Sequence, residues 1–434
     1  MNILLMSNTY KPLLGGLEKS IELFANEYRQ KGHRVIIVVP EYPDMKPEED
    51  VVRIPAIEKF NGTNFSLQLP IPGVLEEALG KSFRPDIVHA QHPFLVGDTA
   101  LRVASKFNVP LVFTHHTLYE ENVHYMPGNE EALKRFMIEL STGYANLADA
   151  VFAPSESVMN MIKERGVQTP IHVIPTGLYV KNFSRGAGRS LRKRFNIPSD
   201  AYVVGHIGRL APEKNLEFLG RAVARFMKKH PHAYFLIGGQ GPSEEVIKEI
   251  FSQEGLSERL CLAGIFKGKE LIDAYHAMDV FVFASQSETQ GMVLDEAMAS
   301  AVPVVAVDAP GVREVVEDRI NGCLLPHENI DDFVAGLEWV QKLSAIKLKK
   351  IKTACHQTAN RFSMDKSAEK ALAVYASLCI QGFARKSIEQ SYWESKLRLM
   401  QAQWSLVKNL TKAAASAMIG LSENRTKNHE LQAQ

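Results

Sequence analysis

Short, almost wholly apolar runs recur along this chain, each separated from the next by a helix-length polar and apolar mixture. In the first half they are "NILLMS", "RVIIVVP", "DIVHA" (86–90), "PLVFTHH" (110–116), "ADAVFAPS" (148–155) and "IHVIPTG" (171–177). Runs of this length, rich in Val and Ile, read as strands buried on both faces. Between the first two, "LEKSIELFANEYRQKG" places Ile21, Phe24, Ala25 and Tyr28 on one helical face. Strands without polar alternation, separated by helices, require a parallel sheet covered on both sides.

The rhythm stops at "SRGAGRSLRKRFNIPSD" (184–200), a basic, glycine-containing stretch that reads as an interdomain connection. It then restarts with "YVVGHIG", "AYFLIGG", "LCLAG", "VFVFAS" and "PVVAVD". The expected fold is therefore α/β, with two doubly wound, Rossmann-like domains facing a cleft, one over 1–183 and one over 184–380. Ligands of such sheets bind outside the carboxyl ends of the strands. Residues 381–434 read as a separate tail. There Trp393, Leu397, Met400, Trp404 and Val407 make one apolar stripe, and a polar end follows.

Composition narrows the function. A chain of 434 residues, 45% hydrophobic and 23% charged, suits two soluble-type domains. A formal net charge of +1 gives no global pull toward nucleic acid. Four cysteines without a C-x-x-C pair fit a reducing compartment. The start "MNILLMSNTY" does not read as a signal peptide. No apolar run approaches the ~18 residues of a membrane span, so membrane contact is expected to be peripheral.

The chemistry gathers at strand ends. In "GHIGRLAPEKN", Arg209 and Lys214 sit just past a strand, suited to a diphosphate, or else are solvated surface charges. In "SETQGMVLDEAMAS", the amides of Gly291, Met292 and Val293 open a helix and offer an anion site. The same stretch holds Glu288 and Glu296. Eight residues of helix span about 12 Å, whereas retaining glycosidases need carboxyls ~5–5.5 Å apart. Hydrolysis is therefore the poorer reading. Glu296 suits the vicinal hydroxyls of a ribose and Glu288 those of a second sugar. The bland alternative is a loop charge and a solvated helix face, weakened for Glu296 by its apolar neighbours. Ile265 and Phe266, after "CLAG", are expected near the base. Gly15 and Gly16 permit close backbone approach but do not make G-x-G-x-x-G. His116 is a cleft candidate or a structural histidine. His89, His92, His115, His116 and His124 lack zinc spacing, and D-x-D is absent, so metal-independent chemistry is expected.

Taken in order, "GGLE", "THHTLY", "IPTGL", "GRLAPEKN" and "SETQGMVLDEAMA" resemble the motifs of retaining glycosyltransferase family 4, of GT-B fold. The resemblance spans roughly residues 1–380 and implies an acceptor-side domain over 1–183 and a nucleotide-sugar-binding domain over 184–380. It implies that Gly16 lies near the donor phosphate, His116 contacts the transferred sugar, Arg209 and Lys214 neutralise the diphosphate, Glu288 orients the sugar and Glu296 the ribose. Residues 91–127 and "SETQG" are most similar to diacylglycerol α-glucosyltransferases. That similarity implies UDP-glucose as donor substrate, no resident cofactor, and a lipid acceptor met on the cytoplasmic face of the membrane. Related phosphatidylinositol mannosyltransferases use GDP-mannose. His115 stands where the resemblance leads one to expect Tyr, and the tail is longer than the family's usual ending. Two surfaces suit peripheral membrane contact: the tail stripe with Lys396, Arg398, Lys408 and Lys412, and segment 129–150 with Lys134, Arg135, Phe136 and Leu140. The tail stripe packing on the first domain is the competing reading.

Overall fold

The computed structural model describes residues 1–13, 15–43, 45–57, 67–68, 83–121, 129–286, 288–383, 405, 408 and 409. The chain divides into two compact units. One runs from Met1 to Thr176 and takes in the described residues from Ser367 onward; the other is Gly177–Lys366.

The first unit is built on β1 (Asn2–Met6), β2 (Arg34–Pro40), β3 (Val51–Ile54), β6 (Ile87–Ala90), β7 (Leu111–Thr114), β8 (Ala150–Ala153) and β9 (Ile171–Val173). Two short strands, β4 (Ala56–Ile57) and β5 (Leu67–Gln68), form a separate antiparallel ribbon. The main sheet is parallel, in the order β3-β2-β1-β6-β7-β8-β9. Leu4 lies opposite Ile36 on one side and Val88 on the other, and all three are buried in one cluster with Phe113 and Val151. Helices cover the sheet: Gly16–Gln30, Val96–Phe107, Glu130–Ala145 and Glu156–Glu164. The last two begin at side-chain caps, where Asn129 accepts from the Ala132 amide and Ser155 from that of Val158. His116 lies two residues beyond the end of β7, not on the strand.

The second unit repeats the plan with β10 (Tyr202–Ile207), β11 (Ala233–Gly238), β12 (Leu260–Leu262), β13 (Val280–Phe283), β14 (Val304–Val307) and β15 (Gly322–Leu325). Its parallel order is β12-β11-β10-β13-β14-β15. Successive residues serve opposite faces. Val203 and Phe281 belong to one buried cluster, Val204 and Val282 to the other. That is why these strands are apolar at nearly every position.

Two boundaries differ from the sequence expectation. The stretch 184–200 is not a free connection. It forms the helix Gly188–Arg194, buries Leu191 and Ile197 in the second unit's core, and ties Arg192 to Asp279 at 2.9 Å. Its sequence is dominated by basic residues, but the two apolar ones decide its packing. The helix Met364–Phe383 lies mostly within the expected second domain, yet from Ser367 it belongs to the first unit. Its Tyr375 is fully buried, stacked on Phe152 with ring centroids 5.7 Å apart. Of the tail stripe, Trp393, Leu397, Met400, Trp404 and Val407 lie outside the described residues, as do Lys396, Arg398, Lys412 and the polar end. Asn409 is described: it is buried, and its Nδ2 donates to the Leu140 carbonyl at 3.1 Å.

Candidate active site

In the second unit the strand order reverses between β10 and β13. The loops leaving these two neighbours run to opposite sides and open a crevice at their carboxyl ends. The loop after β10 carries Arg209 and Lys214; the loop after β13 carries Glu288. Lys214 Nζ donates to Glu288 Oε1 at 2.5 Å, joining the two loops, and both side chains are largely covered (18% and 16% exposed). Arg209 is at the rim, 59% exposed, paired with Glu213. The structure thus brings Lys214 and Glu288 into contact and leaves Arg209 outside that pair.

Backbone packing shapes this crevice. Leu210 N donates to Gln240 O, and Ser243 N to Leu210 O, so the loops after β10 and β11 lie main chain on main chain. A Cβ on Gly239 would stand 1.9 Å from Gly208 O, and one on Gly241 2.3 Å from Leu210 O. Both also have positive φ. The "GGQGP" glycines serve this close approach.

Gly291 adopts the left-handed conformation, φ +73°, and caps the helix Met292–Ala299. Glu296 lies in the middle of that helix and is buried. Tyr275, from the helix Lys269–His276, donates its hydroxyl to Glu296 Oε2 at 2.8 Å. The adjoining Asp295 is buried too, and burial pushes its pKa well above the usual carboxylate range. Gln290 Nε2 donates to its Oδ2 at 3.1 Å. His206, on β10, is stacked with Phe281 and Phe283, and its Nδ1–H donates to the Val282 carbonyl at 3.0 Å. Burial lowers its pKa to about 4, so it is a neutral ring. Ile265 is exposed, whereas the Phe266 ring is turned into the core against Phe195 and Gly238. The two neighbours expected together near a base therefore point to different surroundings.

In the first unit Gly16 is the first residue of the helix Gly16–Gln30, exposed and directly after the cap Gly15. His116 Nε2–H donates to Gln91 Oε1 at 2.7 Å. Deeper in, Tyr28 donates to Tyr375 (3.4 Å), Tyr375 donates to His89 Nδ1 (2.6 Å), and the remaining ring N–H of His89 donates to Thr114 Oγ1 (2.6 Å). Each direction follows from the one before, since a hydroxyl has one proton to give. Burial lowers the pKa values of His89, His92 and His116 to about 3 and that of His115 to about 4.

Sequence reasoning missed Tyr275, Gln91 and Tyr375. None stands beside a glycine or a pair of charges. Among the described residues, no group of three His, Cys, Asp or Glu could hold a metal ion, and no helix is long and apolar enough to cross a membrane.

A crevice at a topological switch point, with a lysine, a glutamate and a glycine-opened helix at its mouth, suits a nucleotide-linked sugar in a two-domain transferase. Known proteins agree. Residues 14–181 match the family described as Glycosyltransferase Family 4, and residues 189–358 that described as Glycosyl transferases group 1. The alpha-monoglucosyldiacylglycerol synthase of Streptococcus pneumoniae is 28% identical over 338 residues, 75% of either chain. That of Acholeplasma laidlawii is 27% identical over 74% of this chain and 84% of its own. The GDP-mannose-dependent alpha-mannosyltransferase of Mycobacterium tuberculosis is 29% identical over 75% of this chain and 84% of its own. Among solved structures, the Anabaena protein HepE in complex with UDP-glucose superposes with a TM-score of 0.66 at 21% identity, covering 87% of this chain and 100% of that one. Sucrose-phosphate synthase from Thermosynechococcus elongatus gives 0.68 at 20%, covering 87% and 98%. The fold is GT-B, and the class is that of retaining, nucleotide-sugar-dependent hexosyltransferases. The chain belongs to glycosyltransferase family 4.

Proposed function

We propose that this enzyme transfers glucose from UDP-glucose to a lipid acceptor such as 1,2-diacylglycerol, with retention, at the cytoplasmic face of a membrane. The observation that carries the donor side is the Lys214–Glu288 ion pair at the mouth of the second unit's crevice. The lipid acceptor is supported by similarity to two alpha-monoglucosyldiacylglycerol synthases.

The pair is a ready-made exchange. A diphosphate arriving at the crevice takes Lys214 as its counter-ion, and Glu288, released, accepts hydroxyls of the transferred sugar. Arg209 at the rim and the amides of Gly291, Met292 and Val293 add to the anion site. A charge at a helix start gains roughly 0.3–1 kcal/mol, against ~1.5–3 kcal/mol for a hydrogen bond to a charged group. The side chains therefore contribute more than the dipole. Glu296 accepts the ribose hydroxyls, and Ile265 flanks the base; Phe266, buried beneath, supports the loop. On the first unit, His116 is assigned to hydroxyl recognition and the Gly16 amide to an anion contact. As the bond from the sugar's C1 to the diphosphate breaks, Lys214 and Arg209 stabilise the charge that collects on the leaving phosphate. That phosphate takes the proton of the acceptor hydroxyl, which attacks on the same face, so no side chain needs to be a nucleophile.

The test is direct. Purified enzyme is given UDP-glucose, UDP-galactose or GDP-mannose with diacylglycerol in mixed micelles, and the glycolipid is analysed. An α-glucosyl lipid formed from UDP-glucose is expected; a β-linked product, or none, overturns the reading. A second reading, GDP-mannose as donor, is favoured by similarity to the mycobacterial mannosyltransferase, and the same panel decides it. The peripheral membrane contact is assigned to the helix Glu130–Ala145, whose Lys134 side chain is 41% exposed and paired with Glu130. Flotation with anionic liposomes should weaken on replacing Lys134 by Glu.

A further inference from the structure

The Glu296 carboxylate is placed on the ribose in the reading above, and the present inference rests on that reading. A glutamate has three side-chain torsions, and holding them costs entropy that a free carboxylate would have to give up when the nucleotide binds. Tyr275 is one group that restrains them. Its hydroxyl meets Glu296 Oε2 at 2.8 Å, and the two side chains come from different helices. We propose that Tyr275 is a positioning residue of the nucleotide subsite, its hydroxyl holding the Glu296 carboxylate in the orientation that receives the ribose hydroxyls.

Three observations bear on this. The tyrosine is itself immobile: its ring is fully buried, with the rings of Phe183 and Phe281 at centroid distances of 6.2 and 5.8 Å. Burial raises the phenol's pKa well above its ordinary value, so it remains a proton donor throughout the physiological range. Packing alone does not require the hydroxyl, because phenylalanine would fill the same space between these two rings. A phenol buried beside a carboxylate is instead suited to aim it, as supporting groups aim the functional groups of binding sites.

The experiment compares UDP with 2′,3′-dideoxy-UDP, which lacks the hydroxyls in question, by calorimetry on the full chain. Wild type, Tyr275→Phe, Glu296→Ala and the double variant are titrated, and thermal melting checks that each is folded. Tyr275→Phe is expected to weaken UDP binding by about 10–100-fold, the range for losing a hydrogen bond to a charged group. Binding of the dideoxy nucleotide should stay within about twofold. The double variant should bind UDP no worse than Glu296→Ala alone, since the two groups act as one. A Tyr275→Phe protein with wild-type preference for UDP overturns the inference while leaving the ribose reading intact, provided Glu296→Ala abolishes that preference. A Glu296→Ala protein that keeps the preference overturns the ribose reading and the inference with it. Should Tyr275→Phe melt early, the double variant decides: additive losses reject the inference.

Discussion

The two units share a strand order around their switch points yet treat the same place in opposite ways. After β1 and β6, the first unit braces the position with uncharged groups, its half-exposed Lys11 pairing with Glu22. Asn8 accepts from the Val96 amide and donates to the Phe94 carbonyl, and His92 Nδ1 receives the Asn8 amide at 3.2 Å. Its histidines are held neutral by burial. After β10 and β13, the second unit sets a lysine against a glutamate and leaves an arginine at the rim. Topology supplies the location; the residues that follow each strand decide whether it becomes a neutral brace or a charged exchange site.

The comparison can be broken at either end. The largest effect is expected in the neutral unit. Tyr375→Ala removes a buried aromatic ring and should cost about 3–5 kcal/mol, read by urea denaturation followed in the first unit. Tyr375→Phe keeps the ring and should cost only about 1–3 kcal/mol, from the bonds to Tyr28 and His89. Next comes the charged unit. Lys214→Ala should lower turnover by about 10²–10³-fold, the usual loss for one stabilising group in a transition state. Arg209→Ala should lose less, because the side chain is already mostly in solvent.

Acid should separate the units at the next level. The folded-state pKa values of His89, His92 and His116 lie near 3, below the ordinary value of 6.5. The unfolded chain therefore binds protons that the native chain refuses. The stability due to burying these rings neutral is fully present above pH ~6.5 and is lost as the pH falls toward ~3. Each contributes a slope of up to ~1.4 kcal/mol per pH unit in that window. Denaturation at pH 7, 6 and 5 should show the first unit weakening faster than the second; equal slopes would contradict this. The smallest effect is Glu213→Gln: its partner Arg209 is exposed, and stability should change by less than ~1 kcal/mol.

Much of the fold was legible because both sheets are parallel and double-faced, so every strand declares itself as an apolar run. The apolar neighbours of Glu296 likewise anticipated its burial. What could not be read was anything that depends on partners far apart in the chain. His89 and Tyr375 are 286 residues apart, and no periodicity connects them. The stretch 184–200 looked like a linker because its charges outnumber Leu191 and Ile197, although those two determine where it packs. The "GGQGP" glycines lack a nucleotide fingerprint, and their purpose emerges only once Gly208 and Leu210 are seen beside them.

The helix from Met364 has a consequence for how the chain is made. The first unit's last strand ends at Val173, but Tyr375, which its buried Tyr28 and His89 are waiting for, emerges about 200 residues later. At ~5–20 residues per second, the ribosome needs roughly 10–40 s to deliver it. For that interval the nascent polypeptide carries an unsealed sheet while its other half is being translated, and a chain that stops short of Tyr375 never closes it.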